Sequence, residues 1–128
     1  MSYTFDKTLD LPFDKAVERV RDALSAEGFG VLTEIDVSAT LKTKIDVDFR
    51  PYIILGACNP GLAHKALSAE DRIGVMLPCN VVVQEKSPGR SDVSAVDPVA
   101  SMSAVDNPDL GGIADAVRGK LRAVIDAL

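Results

Sequence analysis

The chain has 128 residues and a mass of 13.6 kDa, the size of one domain (1–128). Apolar residues make up 47% and charged residues 26%, too apolar a balance for a disordered chain. With 14 basic against 19 acidic residues the net charge is −5, which argues against nucleic acid or an anionic membrane surface as a partner.

Residues 2–9 place Tyr3, Phe5 and Leu9 at period two, and Lys7 breaks the pattern; this predicts a strand ended by Pro12. Phe13, Ala16, Val17, Val20 and Leu24 then recur at three- and four-residue spacing, predicting an amphipathic helix over 13–27. Gly28 suits the left-handed position that closes such a helix, with Phe29 folding back on its last turn. Alternation of Val31, Thr33, Ile35 and Val37 predicts a strand over 30–37. Ser38 is placed to cap a short helix over 39–46. Residues 52–58 are apolar on both faces, as a central strand is.

Asn59 followed by Pro60 reads as a cap and first turn, opening a helix over 60–69 with Leu62, Ala63, Ala66 and Leu67 on its buried side. A valine-rich strand is expected over 75–85, a turn over 86–90 and an exposed outer strand over 92–97. Residues 98–106 read as irregular. Asn107-Pro108 opens a terminal helix marked by Leu110, Ile113, Ala114, Val117, Leu121, Val124 and Ile125.

The expected fold is α+β: a mainly antiparallel sheet of about five strands, two long helices on one face, and short helical insertions. A doubly wound parallel fold needs long helices regularly between strands, and the chain lacks them. The far face of the sheet then calls for a cover, and a homodimer is the expectation. The N-terminus lacks the basic and apolar segments of a signal peptide, and the longest apolar run, Tyr52 to Cys58, is far short of the roughly 20 residues that span a bilayer. A cytoplasmic protein with no membrane partner and two reduced cysteines is expected.

Two stretches resemble each other. Ala57-Cys58-Asn59-Pro60 ends a strand, and Pro78-Cys79-Asn80 begins one. If these strands are antiparallel neighbours, Cys58 and Cys79 share one sheet edge near the positive end of helix 60–69, where a thiol can be activated. If they are parallel, the cysteines lie at opposite ends. The bland alternative is that both are buried small hydrophobes and Asn59 and Asn80 merely satisfy backbone groups. Gly56 reads as a place of close packing above its strand.

His64, the single histidine, falls one turn into the same helix on the side away from Leu62. Cys58, His64 and Cys79 supply at most three ligands at the wrong spacing for zinc, so neither metal nor cofactor is expected. Glu34 and Asp36 share one face of a strand and form either an acid–base pair or a solvated face. Lys42, Lys44 and Arg50 make a small basic cluster in an acidic chain. No phosphate loop, dinucleotide fingerprint or serine elbow is present.

Four ordered segments carry a resemblance: Gly28 to Ile35, Ala39 to Lys42, Tyr52 to Pro60 and Leu77 to Val83. Together they resemble the domain of unknown function 302 family over almost the entire chain. The resemblance implies a small prokaryotic α+β domain, dimeric, in a β-α-β(4)-α order, with no established reaction. It points to Cys58, Asn59, Pro60, Pro78, Cys79 and Asn80 as motif positions. The leading expectation is a binding module for a small ligand or protein partner, seated on Cys58, Asn59, Cys79, Asn80 and His64. Thiol-based redox, sulfur-transfer or metal-handling chemistry through the two cysteines, and a purely structural oligomer, are the alternatives.

Overall fold

A computed structural model describes residues 2–128. The order is β1 (Thr4–Leu9), α1 (Phe13–Ala26), β2 (Gly30–Asp36), α2 (Val37–Ile45), β3 (Tyr52–Cys58), α3 (Pro60–Ala69), β4 (Cys79–Ser87), β5 (Arg90–Val96), α4 (Pro98–Ser101) and α5 (Gly111–Asp126). All five strands form one antiparallel sheet in the order β1-β5-β4-β3-β2. The fold is α+β, as the patterning predicts.

Alternation of side chains across the pleat divides the sheet into two unlike faces. Ile53, Leu55, Ala57, Cys79, Val81, Val83, Val93 and Ala95 point under the helices and are buried. Onto them α1 lays Ala16, Val20 and Leu24, and α5 lays Val117, Leu121 and Val124. The α1 end follows the glycine signal. Gly28 takes φ 82°, its N–H donates to Ser25 O, and the Phe29 N–H donates to Leu24 O at 3.0 Å. Phe29 is thereby folded back into the core.

A smaller apolar cluster, Ala66, Ile73, Met102, Leu110 and Ala114, lies beside the main one. It joins α3 to the start of α5. Asn107 helps hold it: its side-chain amide donates to Ala69 O at 2.9 Å, while its Oδ1 accepts the Asp109 N–H.

Four expectations need correction. The fourth strand starts at Cys79, not 75, because Pro78 has no N–H to give a ladder; residues Asp71–Met76 instead coil as a 3₁₀ helix that buries Ile73. β5 is not an outer strand. β1 pairs along its free side, with Phe5 opposite Ala95 and Lys7 opposite Val93, so Ser91, Val93 and Ala95 are buried. The cap of α2 is Asp36, whose Oδ1 accepts the Ala39 N–H at 2.9 Å, because the helix starts directly off β2 at Val37. The stretch 98–106 is not wholly irregular: Asp97 accepts the Val99 N–H and opens α4.

Candidate functional site

β3 and β4 are antiparallel neighbours, with Ala57 opposite Cys79 and Gly56 opposite Asn80. The end of one strand therefore lies beside the start of the other, and both cysteines line one cavity of about 30 Å³. Ala57 and Cys79 come from the sheet, Leu62, Ala63 and Ala66 from α3, and Met102 and Ala114 close it from the C-terminal half. The cavity is the seam between the two apolar clusters, whose members it draws from both sides. It survives because alanines stand where larger side chains would have filled it.

Cys58 is half-buried and immediately precedes the cap of α3. Asn59 Oδ1 accepts the Leu62 N–H at 3.2 Å, and Pro60 takes the first helical position. That turn carries the chain from the sheet edge over the cavity. Cys79 is buried. Burial, and secondly the negative charge that Cys58 can carry, push its thiol up to about 11. So the buried member of the pair is held toward its protonated form at neutral pH, not activated as the helix end alone suggests.

Of the residues singled out in the sequence, the fold brings Cys58, Asn59 and Cys79 to the cavity. It separates Asn80, which follows Cys79 by one residue and so points through the pleat to the opposite, open face beside Val82 and Val96. His64 is exposed on α3, away from the lining, and the visible contact of that residue is its carbonyl accepting from Ser68 Oγ at 2.8 Å. Glu34 and Asp36 are spent on structure. Glu34 pairs with Arg21 at 2.6 Å, and Asp36 caps α2. Two members of the basic cluster, Lys42 and Arg50, are spent likewise. Lys42 pairs with Asp46 and Asp48, which raise its pKa, and Arg50 lies 4.4 Å over the Phe49 ring while donating to Gln84.

Gly56 makes the close approach expected of it. A Cβ there would run into Thr33 Oγ1 on β2 and stand 2.7 Å from Pro78 Cγ. Its absence lets Pro78 lie flat against β3 and sets where Cys79 enters the sheet. The residue that sequence reading missed is Met102. It sits in a short polar stretch without periodicity, and only the packing of α4 against α5 brings it to the cavity.

Among the described residues no helix is long and apolar enough to cross a membrane. No curated protein matches the chain. A crystal structure of an uncharacterized conserved DUF302 protein from Bacillus stearothermophilus superposes with a TM-score of 0.90 at 29% identity, covering 99% of this chain and 98% of that one. The family model for the domain of unknown function DUF302 matches residues 5–128. With the match running from β1 through α5, the chain belongs to the DUF302 family.

Proposed function

We propose that this protein is a small binding module whose ligand seat is the cavity at the Cys58/Cys79 edge of the sheet. The observation that carries the reading is the meeting of both cysteine-bearing strand ends at one apolar cavity, roofed by a helix whose start is fixed by Asn59. The lining offers thiols, a thioether and an amide, and neither an imidazole nor a carboxylate, which suits holding a ligand better than moving protons through a reaction. A volume near 30 Å³ suits an occupant of one or two heavy atoms; drug-sized ligands need hundreds of Å³. Two unpaired cysteines fit a reducing bacterial cytoplasm.

The test is xenon under pressure, read in amide NMR spectra, since xenon enters dry apolar cavities of this kind. Shifts centred on Cys58, Leu62, Cys79, Met102 and Ala114 are expected. Shifts confined to the open sheet face, or none at all, contradict the reading.

A second reading concerns the partner, and a separate observation favours it. The nine-residue α2 has no buried residue, and helices shorter than about 12 residues are marginal in water without packing. Around it Ile35, Ile45, Val47 and Phe49 are 49%, 64%, 41% and 37% exposed. A second copy of the chain is the proposed cover. Sedimentation equilibrium should give twice the 13.6 kDa chain mass, and Phe49→Asp should return it to one chain. A wild-type particle of 13.6 kDa at high concentration removes the dimer.

A further inference from the structure

From Gly30 to Tyr52 the chain has no buried residue. β2 pairs along one side only, as an edge strand, and α2 runs directly off its end. Among the described residues nine large apolar side chains are exposed, and five of them, Leu32, Ile35, Ile45, Val47 and Phe49, stand in this stretch. An arm of this kind is held by one strand ladder and leaves its apolar side chains for a neighbour to cover.

The sheet carries a seat of matching shape. Its main helices, α1 and α5, pack on one face. On the other, Tyr3, Asp6, Tyr52, Val82, Gln84 and Val96 border an open hollow of about 460 Å³. Arg50 Nε, at the base of the arm, donates to Gln84 Oε1 at 2.8 Å, so the arm leaves the chain beside this hollow. Charge matches as well as shape. Asp6 accepts from Thr4 Oγ1 at 3.0 Å, and neither Asp6 nor Lys44 on α2 forms an ion pair among the described residues. Asp6 belongs to β1, at the sheet edge opposite β2. A two-fold axis along the central strand β4 exchanges those edges, and so brings the arm of each copy over the hollow of the other. We propose that two copies of the chain exchange arms, each seating α2 in the hollow of its partner with Lys44 against Asp6. The inference rests on the dimer reading and names the surface that receives α2.

The experiment uses the full-length chain and a pair of variants, one in the arm, Ile45→Asp, and one in the hollow, Val82→Asp. Each alone spoils both contacts of its own dimer and should weaken it by about a hundredfold or more. Mixed, they form a heterodimer in which one contact is wild type, so the mixture should associate about tenfold or more tighter than either variant alone. Asp6→Lys should weaken the dimer by about tenfold, and adding Lys44→Asp to the same chain should restore it. The wild-type chain supplies a readout that no substitution can spoil. In isotope-filtered spectra of labelled and unlabelled copies mixed together, the Ile45 methyl groups should show contacts to the partner's Val82 and Val96. A dimer whose variants do not rescue each other, or whose Ile45 meets only the partner's Ile45, overturns the arm exchange and leaves the dimer standing. A wild-type monomer removes both.

Discussion

Cys58-Asn59 and Cys79-Asn80 carry the same two side chains next to a proline, yet the fold uses them differently. At the first, Cys58 is the last residue of β3, still paired with Gly30, and the helix follows at once. Cys58 lies at the cavity's edge, and Asn59 beside it caps α3. At the second, the strand has just begun. The pleat is already in force, so Cys79 faces the core and Asn80 the open side. At the strand exit both residues border the cavity, while at the strand entry the pleat sends Asn80 away from it. Position relative to the strand end, not residue type, decides which members of a repeated pair can join a site.

The largest expected effect lies at the residue that lets the two segments approach. Gly56→Ala puts a methyl group against Thr33 and Pro78, and overpacking of this kind costs about 2–3 kcal/mol. Denaturant unfolding checks it, and a loss below about 0.5 kcal/mol would mean that the close approach is dispensable. Next come the thiols themselves. Cys79→Ser buries a hydroxyl where no partner is in place and should cost about 2 kcal/mol, whereas Cys58→Ser, half-buried at the turn, should cost less than about 1. Equal losses would erase the distinction between core and turn.

The same contrast has a pH signature. The folded Cys79 pKa, near 11, stands above its ordinary value of 9.0. The unfolded thiol therefore ionises first as pH rises. The associated stability is fully present below pH 9 and is lost between about 9 and 11, at most about 3 kcal/mol. Cys79→Ala should lack this part of the alkaline decline; an identical pH profile would contradict the burial of that thiol. The smallest pair is the amides. Asn59→Ala removes a helix cap and should cost about 1 kcal/mol, while Asn80→Ala on the open face should stay within about 0.5. Thermal melts of the two variants side by side read the difference.

Much of this was legible from residues alone. The spacing of Ala16, Val20 and Leu24 fixes the buried face of α1, and Gly28 marks its end, because both are local properties. Asn59-Pro60 announces α3 for the same reason. Antiparallel pairing of two neighbouring strands then suffices to bring Cys58 and Cys79 to one edge. What failed depended on register or partner choice. One step along a strand reverses the face of Asn80, and no local signal fixes where the first strand residue falls after Pro78. Nothing near Arg90–Val96 tells that β1 will return to pair with it across the length of the domain. Met102 reaches the cavity only through packing between α4 and α5.

The central claim is that Cys58 borders one cavity together with Cys79 and Met102. Methylthiolation of the wild-type chain tests it directly, because half-buried Cys58 reacts well before buried Cys79, whose thiolate fraction at pH 8 is on the order of 10⁻³. In NMR spectra of the singly modified protein, the Met102 methyl group and the amides of Leu62, Cys79 and Ala114 should move, while Val82 and Ser94 stay in place. Movement of Val82 and Ser94 with Met102 unshifted would mean that Cys58 does not border the cavity and would contradict the account.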